Sequence, residues 1–152
     1  MPKFRGLTKD ELEQFHKEFV DFLVINGVQP EDWESLKKDK IDDAHKILDS
    51  FSDVIFEAIC RKVHYLRRVQ PKLIECIQCL ETEFVYVVME SKNEAIDFTK
   101  VDFTMIQDTS TIYVHTYTEK VSNDRSIRVF QKTEEGFSPS DGRWFKLIAT
   151  TL

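Results

Sequence analysis

The sequence predicts an α+β protein, in which an N-terminal helical group packs on a small, mostly antiparallel sheet and a C-terminal helical segment follows. Apolar residues recur at helical spacing in the part of the chain that precedes Pro71. After Pro71 they form short runs rich in β-branched and aromatic side chains, which are typical of strands. Because 152 residues is the usual size of one domain, we expect a single domain over residues 1–152.

The first helix is predicted from its N-terminal cap. Thr8 is followed three residues later by Glu11, and this spacing is that of a capping box, in which each side chain satisfies a backbone N–H of the other. Gly27 supplies a C-terminal stop, because glycine tolerates the positive φ that ends many helices. We therefore expect a helix over about residues 9–26.

Two further helical segments are predicted before Pro71. Pro30 suits the first position of a helix, and the acidic residues that follow it complement the helix dipole. From Ile41 to Leu66 the apolar residues keep a helical period, with Ser50 and Ser52 as a break near the middle. This pattern indicates one long helix or two abutting helices.

Three strands are predicted in the second half of the chain, at Leu73–Leu80, Phe84–Met89 and Thr111–Thr118. Residues 91–108 have a mixed pattern, from which we expect a turn followed by a short strand or helix. These strands would form the sheet on which the helices pack.

The C-terminal part admits two interpretations. Residues 123–135 fit a helix capped by Asn123, or else a hairpin partner for Thr111–Thr118, and the helical pattern is favoured. Residues 138–142 are expected to form a loop, since Ser, Pro, Asp and Gly cluster there. The apolar residues after this loop indicate a closing element packed on the core.

Composition and charge argue against several classes of function. A net charge of −6 disfavours nucleic acid as a partner, because phosphates would be repelled. The sequence has no G-x-G-x-x-G or P-loop motif, and we expect no cofactor. Its longest apolar run, Phe84–Met89, is far too short to cross a membrane. Three cysteines, an odd number, without a signal peptide indicate reduced thiols in a cytoplasmic protein with no membrane association.

Several separated motifs carry a resemblance to a known family. They are Leu7-Thr8, Glu11-Leu12, Phe19-Val20-Asp21-Phe22-Leu23, Gly27, Trp33, Phe51-Ser52-Asp53 and Tyr65-Leu66, and later Asn123-Asp124-Arg125 and Ser140-Asp141-Gly142. The chain resembles, over roughly its first half, a family of uncharacterised bacterial proteins found mainly in Bacteroidetes and catalogued as a domain of unknown function. The resemblance implies a small intracellular protein and brings no activity, catalytic residue or ligand.

A metal site is one chemical hypothesis that the residues raise. Cys60, His64, Cys76 and Cys79 form a Cys₃His set of zinc-ligand types, with the first two at helical i, i+4 spacing. However, Cys76 and Cys79 are three apart on a predicted strand, so their side chains would point to opposite faces. Buried, non-ligating thiols are therefore the favoured interpretation.

A second candidate is a basic island in residues 61–72, which contain five basic and no acidic residues. At the end of a helix, these cations would oppose the helix dipole. As a binding surface, they would suit a small anionic ligand, an acidic protein or nucleic acid, the last aided by stacking on Tyr65. The residues of this basic island are Arg61, Lys62, Tyr65, Arg67, Arg68 and Lys72.

A third candidate lies on the strand predicted at Thr111–Thr118. Alternation places Tyr113, His115 and Tyr117 together on the face opposite Ile112 and its apolar neighbours. These three side chains could line a pocket, with His115 as an acid, base or hydrogen-bonding group. Alternatively, they could pack against a helix or stand half-exposed.

Two classes of function follow. The favoured one is a non-catalytic interaction or ligand-binding module, with an unidentified protein or a small anionic ligand as partner and homodimerisation as one form of it. The alternative is a metal-dependent or small-molecule enzyme that uses His115 or the Cys/His set. No catalytic residue can be assigned from the sequence.

Overall fold

A computed structural model describes residues 2–122 and 124–151. These residues form an α+β fold, as predicted, with N-terminal helices, an antiparallel sheet and C-terminal helices. The elements in chain order are α1 (Lys9–Gln14), α2 (His16–Ile25), α3 (Pro30–Asp39), α4 (Ile41–Arg61), β1 (Tyr65–Gln70), β2 (Leu73–Cys79), β3 (Glu83–Ser91), a 3₁₀ turn (Phe103–Met105), β4 (Ile112–Lys120), α5 (Arg125–Glu134), β5 (Ser138–Ser140) and α6 (Arg143–Ala149).

The chain divides into two compact units, Met1–Ile59 and Cys60–Leu152. The expectation of one domain over residues 1–152 stays a prediction. In the described residues, no helix is long and apolar enough to cross a membrane.

The first unit is built around an aromatic core. The Phe19 ring lies 5.1 Å from the ring of Trp33 and 5.0 Å from that of Phe51, so one residue joins α2, α3 and α4. Aromatic side chains bury large apolar areas, and contacts between their rings add to this stabilisation. The buried residues of this core are Phe19, Leu23, Trp33, Ala44, Phe51 and Ile55.

The N-terminal cap is present as predicted, but the first helix is interrupted. Thr8 Oγ1 accepts from the Glu11 N–H, and Glu11 Oε1 accepts from the Thr8 N–H. At Phe15 the backbone leaves helical geometry, with φ −99° and ψ 23°, so α1 and α2 replace a single helix. Periodicity misses this break, because the apolar spacing continues through Phe15, which packs against the core.

Acid should weaken α1 through Glu11. Two hydrogen bonds from Arg5, at 2.8 and 2.9 Å, and one from the Thr8 N–H hold the pKa of Glu11 at about 2, below its ordinary 4.5. A carboxyl with a lowered folded pKa stabilises the fold fully above pH 4.5 and loses this effect as the pH falls towards 2. We expect the amide protection of α1, followed by hydrogen exchange, to decline over this interval, and Glu11→Gln to flatten the decline. Glu13→Gln, at an exposed position of the same helix, should leave it unchanged.

The second unit is a five-stranded sheet in the order β4-β3-β2-β1-β5, with every neighbouring pair antiparallel. Helix α6 and the segment between β3 and β4 cover one face, here called the α6 face, which includes Cys76, Val87 and Met89. Helix α5 contacts the opposite α5 face: Lys132 Nζ lies 5.1 Å from the centre of the Tyr86 ring. Both faces of the central strands are therefore packed.

The prediction that helical structure continues through Leu66 is wrong. Helix α4 ends at Arg61, and Tyr65–Gln70 is a strand that pairs with both β2 and β5. The apolar spacing of Val63 and Leu66 fits a helix locally, but six consecutive backbone pairs with β2 fix the strand. Non-local pairing of this kind leaves no mark on local periodicity.

The structure also decides between the predictions for residues 123–135 and shows a short strand in the loop predicted at 138–142. Residues 125–134 form a helix, the favoured interpretation, while Asn123, its expected cap, lies outside the described residues. The expected loop at 138–142 begins with β5, which pairs with β1. Pro139 is tolerated there because β5 is a sheet edge.

Candidate functional site

Strand β4 is a long sheet edge whose outer side bears no strand among the described residues. The Lys92 N–H donates to Thr111 O and the Val121 N–H donates to Thr82 O, so the odd-numbered residues of β4 bond to β3. The even-numbered residues consequently direct their backbone N–H and C=O groups outward. They are Ile112, Val114, Thr116, Thr118 and Lys120, of which the Ile112 N–H already donates to Thr109 O at 3.1 Å.

This edge lacks the features that usually prevent strand pairing. Residues 112–118 contain no Lys, Arg, Asp, Glu, Pro or Gly. Edge strands are commonly protected by charged residues, by proline or by being very short. The opposite edge has two of these features, since β5 is only three residues long and contains Pro139. The two edges of one sheet thus differ, and only β4 presents a long unprotected ladder.

On the α5 face, β4 presents a row of aromatic side chains, Tyr113, His115 and Tyr117, here called the aromatic row. Tyr113 and Tyr117 are 53% and 47% exposed, and the His115 ring lies 6.3 Å from the Tyr117 ring. The Tyr117 ring in turn stacks on Tyr86 at 4.5 Å with an interplanar angle of 9°. The structure thus brings the three predicted side chains together on one exposed face, beside the open edge.

A polar network beneath this row fixes Tyr86. The Tyr86 hydroxyl donates to Glu119 Oε1 at 3.0 Å, and Arg128 donates to both oxygens of Glu119, at 3.1 and 2.8 Å. Burial raises the pKa of Tyr86, and the neighbouring Glu119 raises it further. Burial opposes ionisation of Glu119, but the hydrogen bonds from Arg128 and Tyr86 still hold its pKa below the ordinary value. Tyr86 is therefore a neutral phenol, held rigidly under Tyr117.

The basic island does not form one patch. Arg67 lies on the α6 face, with its guanidinium 4.2 Å from the centre of the Trp144 ring. Arg68 lies on the α5 face and donates to Glu75 at 2.7 Å. The Lys72 ammonium donates to the carbonyls of Asn93, Glu94 and Ile96, which tie down the segment after β3. These three cations are engaged within the fold.

The remaining residues of the basic island are also dispersed. Tyr65 packs against Phe145 with a ring separation of 5.6 Å, and its hydroxyl accepts from Gln78 Nε2. Arg61 is the last residue of α4, and Lys62 is exposed in the turn that follows. A run of cations in the sequence therefore becomes several separate contacts, because β1 alternates its side chains between the two faces.

The four candidate metal ligands are separated as well. Cys76 lies on the α6 face and Cys79 on the α5 face, because the two residues are three apart on β2. Burial raises the pKa of both thiols to about 12, so neither is a thiolate at neutral pH. His64 is exposed and follows the end of α4, so Cys60 and His64 do not share a helix face. In the described part of the chain, no three His, Cys, Asp or Glu residues are grouped to hold a metal.

Comparison with known proteins identifies the family. The model of a family of unknown function, DUF6495, matches residues 1–152. The chain belongs to this family. No curated protein matches the chain, and no solved structure matches it. The predicted resemblance to a domain of unknown function is thus confirmed. The family model spans residues 1–152, and not only the first half of the DUF6495 chain.

In this DUF6495 chain, Arg125 has a structural role that neither residue spacing nor periodicity predicts. The Arg125 guanidinium donates to the carbonyls of Cys60, in the last turn of α4, and of Val63, just after that helix. It also donates to the carbonyls of Cys79, the last residue of β2, and of Leu80. It fixes the start of α5 against both elements. The motif Asn123-Asp124-Arg125 includes this position, but no spacing or pattern in the sequence distinguishes its arginine.

Proposed function

We propose that this chain is a non-catalytic interaction module that binds an extended polypeptide segment as an added strand along β4. The observation that carries the proposal is the nine-residue edge, with unprotected outward backbone groups along its uncharged part. Strand addition derives its affinity from main-chain hydrogen bonds and its specificity from alternate side chains. Both elements are present at β4.

The aromatic row supplies the side-chain component. Tyr113, His115 and Tyr117 project from the α5 face beside the edge, where side chains of an added strand would lie next to them. Tyrosine suits such a surface, because it offers a large apolar ring and a hydroxyl at little cost in conformational entropy. The Tyr86 ring beneath Tyr117 limits the freedom that Tyr117 would lose on binding.

The other candidate sites give less support. Arg67, Arg68 and Lys72 are engaged within the fold, so they leave little of a joint surface for an anionic ligand. An enzyme that used Cys76 and Cys79 together would need both thiols on one face. We propose that the module works in the cytoplasm, since its three cysteines are free and buried.

The test uses a library of displayed nine-residue peptides of random sequence and three forms of the protein. Thr118→Pro removes one outward N–H and leaves the bonds of Tyr117 and Glu119 to β3 in place. Thr118→Ala removes the same side chain but keeps the N–H. Circular dichroism of the variants checks that the sheet is intact.

We expect the wild type and Thr118→Ala to select peptides rich in β-branched and aromatic residues, and Thr118→Pro to bind the selected peptides at least about tenfold more weakly, the loss of roughly one backbone hydrogen bond. Equal binding of these peptides by Thr118→Pro would place them away from the edge and contradict the proposal. Selection of no peptide at all by the wild type, at concentrations at which it is a monomer, would contradict it as well.

A further inference from the structure

We infer that the added strand is β4 of a second copy of this chain, paired antiparallel about a two-fold axis at Thr116. The inference rests on the proposed function, because it names the occupant of the same edge. The two five-stranded sheets would then become one continuous sheet. Homodimers with two-fold symmetry are the commonest soluble oligomers.

The register follows from the direction of the free backbone groups. Only the even-numbered residues of β4 point outward, so a two-fold pairing in which they exchange hydrogen bonds can place Thr116 opposite itself. Ile112 then lies opposite Lys120, and all nine residues of β4 face a residue of the partner, although the Ile112 N–H keeps its bond to Thr109 O. Moving the register by two residues leaves two residues of each strand without a partner. The register centred on Thr116 therefore makes the fullest use of the edge.

The side chains that meet in this register are compatible. On the α6 face, Thr116 meets Thr116 and Val114 meets Thr118, and both pairs join β-branched side chains. On the α5 face, His115 meets Tyr117. Tyr113 meets Glu119, so a neutral side chain faces the carboxylate that Tyr86 and Arg128 already hold. No like charges lie opposite each other, although each chain carries a net charge of −6.

Pairing with a second copy would also cover the exposed backbone groups of the β4 edge. Each chain has one long unprotected edge, while the other edge is a three-residue strand that contains proline. Pairing β4 with β4 satisfies both long edges in one contact. Among the described residues, it leaves outside the short β5 edges and the three β1 residues, 68–70, that β5 does not reach. A closed dimer therefore forms, and growth of the sheet into a fibre stops.

The test uses Thr116, which lies opposite Thr116 of the second copy in the proposed dimer. Thr116→Lys and Thr116→Glu each place like charges opposite each other in the dimer, whereas a mixture of the two places lysine opposite glutamate. Thr116→Val is the matched control, because all three variants lose the hydrogen bond from Thr116 Oγ1 to Tyr86 O, at 2.7 Å. Native mass spectrometry and light scattering over a micromolar concentration series give the subunit number.

We expect dimers for the wild type and Thr116→Val, monomers for each charged variant alone, and a heterodimer in the mixture. Should a charged variant fold poorly, amide exchange in the wild type decides: exchange at Val114, Thr116 and Thr118 should slow as the concentration rises. Monomeric wild type at all concentrations, or charged variants that still dimerise, would overturn the inference. Charged variants that stay monomeric when mixed would overturn the register.

These outcomes are separable from the proposed function. A wild type that remains monomeric but selects peptides sensitive to Thr118→Pro would retain strand addition and remove the second copy as the occupant. A wild type that neither dimerises nor selects peptides would remove both. A dimer that the Thr116 variants do not affect would point to another surface and leave the peptide result to judge the edge.

Discussion

Replacement of Gly142 by alanine is expected to destabilise the second unit by about 3 kcal/mol. Gly142 begins α6 with φ +83°, a backbone conformation that L-residues rarely adopt. A Cβ atom at this position would lie 2.6 Å from two ring carbons of Tyr65 and 2.8 Å from a third. Both the backbone and the packing therefore oppose a side chain.

The Tyr65 ring cannot move aside without loss. It packs against Phe145, its hydroxyl accepts from Gln78, and the Lys146 ammonium lies 5.7 Å from the ring centre. The positive φ should account for about 1–2 kcal/mol of the effect, and displacement of the ring for about 1–3 kcal/mol.

Two controls separate these contributions. Gly136 also has a positive φ, +105°, but the nearest atom to its added Cβ would be Arg68 Cδ at an ordinary 3.6 Å. Gly136→Ala should therefore cost only the backbone part. In a Tyr65→Ala background, Gly142→Ala should likewise fall to about 1–2 kcal/mol.

Urea unfolding followed by Trp144 fluorescence, in a Trp33→Phe background, measures all of these changes in the second unit. Trp33 belongs to the first unit and would otherwise mix its signal with that of Trp144. If Gly142→Ala cost no more than Gly136→Ala, contact with Tyr65 would not be what restricts this position.

The sequence was sufficient where local chemistry decides the structure. Thr8 and Glu11 identify the start of α1, and runs of β-branched and aromatic residues identify β2, β3 and β4 to within two residues at each end. In each case the residues act on their own or neighbouring backbone, so a short window contains the information.

Non-local pairing decides what the sequence left open. Tyr65–Gln70 carries a helical spacing of apolar residues but becomes a strand, because β2 and β5 pair with it on either side. Residues 138–140 become a strand only because the β1 edge is available. Neither outcome is encoded in the segment itself, and both depend on the order of strands in the sheet.

The candidate site shows the same division. Alternation on β4 predicted that Tyr113, His115 and Tyr117 share a face, because side-chain direction is a local property of a strand. That β4 is an edge depends on the strand order, which the sequence does not reveal. The basic island failed as a single patch for the converse reason: its neighbours in sequence alternate between faces.

Loss of the Arg125 guanidinium is expected to cost about 2–4 kcal/mol. Its nitrogens donate to the carbonyls of Cys60, Val63, Cys79 and Leu80. In Arg125→Met these oxygens lose a charged donor, and those that are screened from water remain unsatisfied. The effect is large because one side chain serves the end of α4 and the end of β2 together.

Arg125→Lys should recover less than half of this loss. An ammonium group keeps the charge, but it is a compact donor and cannot reach carbonyls on two sides as a planar guanidinium does. Arg143→Met is the control for removing an arginine from the same unit, since Arg143 is exposed at the start of α6. It should change the free energy of unfolding by less than about 0.5 kcal/mol.

The same urea unfolding, monitored by Trp144 fluorescence, compares the three variants. Hydrogen exchange adds a local measure, because Arg125→Met should release the first turn of α5 and the turn between β2 and β3 before the centre of the sheet opens. If lysine restored full stability, charge alone would be sufficient at this position. The guanidinium geometry would then not be the reason that an arginine joins these elements.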